Sequence, residues 1–152
     1  MSATFDIICF VMDKEFRKVF KKKNYTRIMK IKNFGIGIDM ESIGRFRKLD
    51  ITDDKLFLNK IFTKKELEYC FSKKMPASCL AARYAGKEAI VKALSIIGKA
   101  NLDYKRLEIF NNEKGVPIVR INNADFRNLQ IRISLSHCED KAVALAVVIE
   151  VG

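Results

Sequence analysis

The longest apolar segment of the sequence, residues 76–98, places the strongest constraint on the fold. It starts with a proline, which is favoured in the first turn of a helix, and ends at Gly98, in a position typical of a helix C-cap. After Cys79, four charged residues interrupt the apolar pattern: Arg83, Lys87, Glu88 and Lys92. A helix without a polar face is normally buried, so the segment predicts a long helix at the centre of one domain.

The spacing of apolar residues predicts strands and helices on either side of this helix. Residues 33–40 predict a buried strand, residues 41–49 a short helix, and Thr52 and Thr63 the N-caps of two further helices. Beyond the long helix, four segments have the pattern of strands: RLEIFN, VPIVRI, LQIRISLSH and KAVALAVVIEV. The sequence therefore predicts an α+β domain, without an internal repeat or a low-complexity tract.

Positive charge is concentrated at the start of the chain. The 152 residues carry a formal net charge of +11, and residues 1–32 hold nine Lys and Arg against three Asp and Glu. We therefore divide the chain into a basic N-terminal extension, residues 1–32, and a domain of residues 33–152. Met29 precedes the first predicted strand and could serve as a translation start, and the extension could instead target an organelle or a membrane surface. The charge favours anionic partners, and no stretch is apolar enough to span a membrane.

Four cysteines lie far apart and form no CxxC pair: Cys9, Cys70, Cys79 and Cys138. This spacing predicts neither a zinc site nor a disulfide framework. We expect reduced thiols and a cytoplasmic protein.

Asp39 and Glu88 are the candidate catalytic carboxylates. Asp39 follows the sequence GIG, but the segment lacks the third glycine and the long helix of a dinucleotide fingerprint. Glu88 lies on the long helix, next to Lys87 and four residues before Lys92. Two carboxylates with nearby cations suit a magnesium ion that also binds substrate phosphates. Two structural alternatives stay open: Asp39 could cap a helix that begins at Glu41, and Glu88 could pair with Lys92 within its helix.

Five segments, in their order and spacing, resemble the 4'-phosphopantetheinyl transferases of the holo-(acyl-carrier-protein) synthase type: GIGIDMESIGRF, IFTKKELEYC, LAARYAGKEAIVKAL, EIFNNEKGVPIV and ISLSHCEDKAVALAVV. The resemblance implies a long central helix packed on a small, mostly antiparallel sheet. It implies transfer of 4'-phosphopantetheine from coenzyme A to a serine of an acidic apo acyl carrier protein in fatty-acid biosynthesis. It also implies magnesium, or manganese in its place, and a homotrimer. Gly86 stands where alanine is common in relatives.

The resemblance also implies roles for individual residues. Asp39 and Glu88 would hold the metal, and Lys92 would join them in catalysis by neutralising phosphate charge. Coenzyme A would contact Arg83, Lys87, Lys92 and His137. The acidic carrier protein would contact Arg45, Arg47 and Lys48. His137 could instead be a turn residue at the end of a strand, and Arg47 and Lys48 could be solvated surface. The base that takes the serine proton stays open between Glu88 and a metal-bound water, and these two are favoured over His137.

A nucleic-acid-binding module is the alternative function, supported by the net charge and the lysine-rich extension. The sequence lacks RNP, KH, zinc-finger and helix-turn-helix signatures, and its aromatic residues are scattered rather than grouped on one sheet face. We therefore expect no nucleic-acid partner.

Overall fold

The described part of the chain has one strand, then three helices, then four strands. The computed structural model describes residues 30–99 and 102–152, so the predictions made for residues 1–29 lie outside the described residues. The elements are β1 (Ile31–Ser42), α1 (Lys55–Ile61), α2 (Lys64–Phe71), α3 (Pro76–Ile96), β2 (Leu107–Asn111), β3 (Pro117–Ile121), β4 (Leu129–His137) and β5 (Lys141–Val151). Single 3-10 turns lie at Ile43–Arg45, Tyr104–Arg106 and Ala124–Phe126.

The long apolar segment forms α3, as predicted. Its last turn is closed by Gly98, whose φ of 75° lies in the left-handed region that glycine adopts without strain. The backbone N–H of Gly98 donates to the carbonyl of Ser95 at 3.1 Å, and that of Lys99 donates to the carbonyl of Leu94 at 2.9 Å. These two bonds form a Schellman motif, which satisfies carbonyls that the end of the helix leaves open.

The helix α3 packs on an antiparallel sheet with the strand order β1-β5-β4. The strands β2 and β3 form a separate antiparallel hairpin. Most of the buried residues of α3 are alanine, leucine or isoleucine, and Ala85, Ala89 and Ala93 are completely buried. This arrangement confirms the predicted α+β fold, with one long helix packed on a small antiparallel sheet.

Two glycines explain how closely β1 approaches α3. A Cβ atom on Gly35 would lie 2.0 Å from the carbonyl oxygen of Ala93, and one on Gly37 would lie 1.9 Å from that of Ala89. The absence of side chains therefore allows the strand to pack directly on the helix backbone. Asp39 comes two residues after Gly37, so this contact also brings Asp39 beside α3.

The segment after Asp39 differs from the prediction. The strand β1 continues to Ser42, and the expected helix over residues 41–49 is only the 3-10 turn Ile43–Arg45. The reason is pairing with β5, which continues through Glu41 and Ser42. Asp39 therefore lies inside a strand, and the alternative that it caps a helix beginning at Glu41 is wrong.

The predicted N-caps of the two short helices have different outcomes. Thr63 is confirmed: its hydroxyl accepts from the backbone N–H of Glu66, and Glu66 accepts from that of Thr63, which forms a capping box. The prediction for Thr52 is wrong, since α1 begins three residues later, at Lys55. The carboxylate of Asp50 accepts the backbone N–H of Thr52 at 2.7 Å, so Asp50 holds Thr52 in a turn instead.

The cysteines correct the expectation of reduced thiols. Cys70 in the last turn of α2 and Cys79 in the first turn of α3 form a disulfide, with their Cα atoms 5.3 Å apart. Their spacing of nine residues did not predict this bond. The turn between α2 and α3 brings the two cysteines together. Cys138 is exposed and free.

No helix within residues 30–99 and 102–152 has the length and apolar character needed to cross a membrane.

We expect Gly37→Ala to lower the free energy of unfolding by about 3 kcal/mol or more, because the added methyl group must push β1 away from the backbone of α3. Chemical denaturation measures this loss. Gly44→Ala is the matched control, since its Cβ would meet only the Ser42 hydroxyl at 3.5 Å, an ordinary contact. Equal stability of the two variants would contradict the close packing of β1 on the backbone of α3.

Candidate active site

Asp39 and Lys92 are joined across the contact between β1 and α3. The Lys92 ammonium donates to Oδ1 of Asp39 at 2.8 Å and to the backbone carbonyl of Ile38 at 3.2 Å. The Asp39 side chain is 13% exposed and the Lys92 side chain 53% exposed, so the pair lies at the surface with its carboxylate mostly covered. The hydrogen bond to Asp39 raises the pKa of Lys92, and this side chain therefore stays cationic at neutral pH.

The second oxygen of Asp39 marks a place for a cation. Oδ2 is buried and has no hydrogen-bond partner among the residues that the structure describes. A buried carboxylate oxygen without a partner is costly, and a bound metal ion would remove that cost.

Glu88 lies one turn before Lys92 on α3 and is half-buried. Its Oε1 accepts a hydrogen bond from the hydroxyl of Tyr104, in the 3-10 turn before β2. Burial, together with the Glu88 carboxylate, raises the pKa of Tyr104 well above its ordinary value, so the hydroxyl stays protonated as the donor. The alternative of an internal pair between Glu88 and Lys92 is wrong, since Lys92 is bonded to Asp39 and Glu88 to Tyr104.

Two contacts and one helix turn bring the four groups together. Lys92 binds Asp39, Glu88 binds Tyr104, and Glu88 and Lys92 lie one turn apart on α3. Sequence reasoning identified three of these residues but missed Tyr104. It lies in a loop, 16 residues from Glu88, and no motif or period marks it.

The donor set fits magnesium. Magnesium usually keeps several waters and takes only one or two carboxylates, with substrate phosphates completing its octahedral shell. The unpartnered oxygen of Asp39 and the carboxylate of Glu88 supply that number. In the described part of the chain there is no group of three or more His, Cys, Asp or Glu that could hold a metal, so a cage built only of protein side chains does not occur there.

The predicted carrier-protein residues lie on the surface immediately after β1. Arg45, Arg47 and Lys48 are all exposed. Arg45 forms an ion pair with Glu41 at 2.5 Å, and Arg47 donates to the carbonyl of Glu139 at 3.2 Å. The structure thus places a basic surface beside the strand that carries Asp39.

Arg83 is buried, whereas Lys92 and His137, two of the other predicted coenzyme A residues, are exposed. Its guanidinium donates to the Asn111 side chain at 2.9 Å, lies 2.9 Å from the sulfur of Cys79, and stacks over the ring of Tyr69. Burial lowers the pKa of Arg83. Its Nε is buried and lacks a partner within the described residues, which leaves one donor for a further group.

Lys87 corrects the expectation that it binds coenzyme A. Its side chain is completely buried, and the ammonium forms an ion pair with Glu66 at 2.8 Å. The same nitrogen lies within hydrogen-bond distance of three carbonyls, those of Ile61, Tyr104 and Leu107. An ammonium has three hydrogens to donate, and these partners use all of them, so no donor remains for coenzyme A. Lys87 is therefore a core residue.

His137 is exposed and lies at the end of β4. It takes no part in the contact between Asp39 and Lys92 or in that between Glu88 and Tyr104. The sheet register places it opposite Ala142 of β5, which also pairs with Glu41 of β1. His137 is therefore two strands away from Glu41, about 10 Å across the sheet.

The sequence matches the family model of the 4'-phosphopantetheinyl transferase superfamily over residues 35–148. It is 43% identical over 118 residues to the holo-(acyl-carrier-protein) synthase of Chlamydia muridarum, an alignment that covers 75% of this chain and 93% of the relative. It is 41% identical over 113 residues to the same enzyme of Chlorobaculum parvum, covering 74% and 96%.

Solved structures of such enzymes have the same fold. The Helicobacter pylori holo-(acyl-carrier-protein) synthase, solved in complex with coenzyme A, superposes with a TM-score of 0.62 at 31% identity and covers 74% of this chain and 98% of its own. The Mycobacterium tuberculosis acyl carrier protein synthase gives a TM-score of 0.60 at 31% identity, covering 76% and 96%.

We expect Lys87→Met to lower the free energy of unfolding by about 3–5 kcal/mol, because it leaves the buried carboxylate of Glu66 without its cation. Lys64→Met is the matched control, since Lys64 is exposed and its nearest acid, Glu68, lies 3.7 Å away. Thermal and chemical denaturation measure both. Equal stability of the two variants would show that Lys87 is not a core residue.

Proposed function

Because the chain belongs to the 4'-phosphopantetheinyl transferase superfamily, we propose that Asp39, Glu88 and Lys92 form its catalytic site. The enzyme transfers 4'-phosphopantetheine from coenzyme A to an acyl carrier protein. The observation that carries the site assignment is the buried, unpartnered oxygen of Asp39 beside Lys92. Neither the family match nor the relatives support the nucleic-acid-binding alternative.

The proposed reaction is a phosphoryl transfer. The serine hydroxyl of the carrier protein loses its proton to a base, its oxygen forms a bond to the phosphorus that bears the pantetheine arm, and the bond from that phosphorus to the bridging oxygen breaks. The products are the holo carrier protein and adenosine 3',5'-bisphosphate. Such a reaction requires mainly positioning and charge neutralisation from the protein.

Each residue of the site has a distinct task in this proposal. Asp39 and Glu88 would hold magnesium, or manganese in its place, which would supply charge neutralisation on the pyrophosphate of coenzyme A. The half-exposed ammonium of Lys92 lies 2.8 Å from Asp39 and would neutralise a phosphate oxygen of the substrate. Arg83 and His137 remain proposed contacts of coenzyme A, and the open Nε of Arg83 supports its assignment.

The acidic carrier protein is proposed to dock on the basic surface formed by Arg45, Arg47 and Lys48. Its support is the exposure of these three cations on the segment that directly follows β1. The basic extension predicted over residues 1–32 is proposed to lie outside the transferase domain as far as residue 30, since β1 begins at Ile31 and the family match at residue 35. The cytoplasmic location stays a prediction.

We expect Asp39→Asn to lower the rate of phosphopantetheine transfer by about 100-fold or more, because the amide is a much poorer magnesium ligand than the carboxylate. Intact-mass spectrometry of an apo acyl carrier protein, incubated with coenzyme A and magnesium, measures the transfer. Asp125→Asn, at an exposed carboxylate of a 3-10 turn, is the matched control. Full activity of Asp39→Asn would contradict the metal role of this residue.

We also propose that the enzyme is a homotrimer, and an uncovered face of the sheet supports this. Four alternate side chains of β1 point away from α3, and each is half or more exposed: Phe34, Ile36, Ile38 and Met40. Leu145 of β5 pairs with Ile38 and extends the same exposed face. Such a contiguous apolar surface is typical of an interface between protein chains.

Light scattering on the purified protein should therefore give the mass of a trimer. Replacing two residues of this face, Ile36→Lys and Ile38→Lys, should reduce that mass to a monomer, because lysine cannot be buried there without a partner. Lys64→Met serves as a control outside the face. A monomeric wild-type protein would overturn the proposal.

A further inference from the structure

Tyr104 donates a hydrogen bond to the Glu88 carboxylate, and the sequence does not mark it as a site residue. We propose that Tyr104 is a positioning residue that orients Glu88 toward the bound cation. This inference rests on the proposed function, since it assumes that Glu88 is a metal ligand. Three features of the structure carry it: how the Tyr104 backbone is anchored, how its ring is packed, and which carboxylate oxygen it binds.

The backbone of Tyr104 is anchored to the helix that carries Glu88. The ammonium of Lys87, the residue directly before Glu88, lies 2.9 Å from the carbonyl of Tyr104 and 2.6 Å from that of Leu107. The carboxylate of Asp103 accepts the backbone N–H of Lys105 at 2.9 Å and so caps the 3-10 turn. The position of the turn relative to Glu88 is therefore determined by a buried ion.

The ring of Tyr104 is held as well as its backbone. It stacks on Tyr84, with the ring centroids 6.3 Å apart and an angle of 28° between the planes. Tyr84 lies one turn before Glu88 on α3 and packs in turn on Phe46, at 5.7 Å between centroids. With backbone and ring both restrained, the hydroxyl of Tyr104 has a defined place, and few alternative rotamers remain for it.

The two candidate ligands have matching arrangements. In Asp39, Oδ1 is bonded to Lys92 while Oδ2 is buried and lacks a partner in the described chain. In Glu88, Oε1 accepts the hydrogen bond of Tyr104, and Oε2 is the oxygen that this proposal assigns to the cation. A donor on one oxygen of each carboxylate favours one-oxygen ligation, which suits the octahedral geometry of magnesium.

A donor behind a metal-ligating carboxylate has a measurable effect. It restricts the rotamers of a long glutamate side chain, so less conformational entropy is lost when the ion binds. Removal of such a partner typically costs about 10–100-fold in metal affinity. We expect a loss of this size for Tyr104→Phe, which removes one oxygen atom and keeps the stacked ring.

The test is Mn²⁺ binding by electron paramagnetic resonance on the full-length protein, with and without coenzyme A. Tyr104→Phe should weaken Mn²⁺ binding about 10–100-fold, and Asp39→Asn should weaken it at least as much. Tyr69→Phe is the matched control for Mn²⁺ binding without coenzyme A, since Arg83 and Lys73 lie over its ring and it is not beside Glu88. Transfer by Tyr104→Phe should recover at high metal concentration, with a raised KM for the metal. A merely structural role would not produce such a rescue.

The outcomes separate this inference from the proposed function. If the wild-type protein transfers phosphopantetheine and Tyr104→Phe binds Mn²⁺ as tightly as the wild type, the positioning role is wrong and the transferase site stands. If Mn²⁺ binding depends on Tyr104 but no carrier protein is modified, the positioning role stands and the proposed reaction is wrong. If Tyr69→Phe weakens Mn²⁺ binding as much as Tyr104→Phe, the effect is not specific to Glu88 and the inference fails.

Discussion

The buried ammonium of Lys87 is the interaction on which the arrangement of the domain depends. It lies in the centre of α3 and binds the carboxylate of Glu66 and three backbone carbonyls, which belong to the end of α1, to the turn before β2 and to the first residue of β2. Both carboxylate oxygens of Glu66 also accept hydrogen bonds, from the backbone N–H groups of Thr63 and Ile109. A charge in a low-dielectric interior is tolerated only with such a complete set of partners. The cluster thereby joins three helices and a hairpin at one point.

Each site residue is carried by an element that the core holds in place. Glu88 is the next residue after Lys87, and Tyr104 is bound to the same ammonium through its carbonyl. Asp39 comes from the other direction, on a strand that can touch α3 only because Gly35 and Gly37 have no side chain. The pairing of Asp39 with Lys92 is therefore a consequence of close packing between a strand and a helix backbone.

Much of this could be predicted from the sequence, for physical reasons that differ between the elements. The apolar pattern of residues 76–98 predicted a buried helix, and the alternation of apolar and polar residues in β4 predicted a strand with one covered face. The segment after Asp39 could not be predicted in the same way. Residues 41–49 have helical spacing, but pairing with β5 extends β1 through Ser42 and leaves room for only one 3-10 turn. Long-range strand pairing overrode the local pattern there.

The sequence by itself predicted the family of the chain and its central helix, because these depend on residue types in local patterns, and it identified Asp39, Glu88 and Lys92 as the candidate site. Only the tertiary structure decided what each charge on the helix does. Lys87 and Lys92 are both lysines on one apolar helix, yet one is a core ion and the other faces the site, since neighbouring elements cover different sides of α3. Tyr104 and the disulfide between Cys70 and Cys79 likewise depend on loops that bring separated residues together, and no local pattern encodes such contacts.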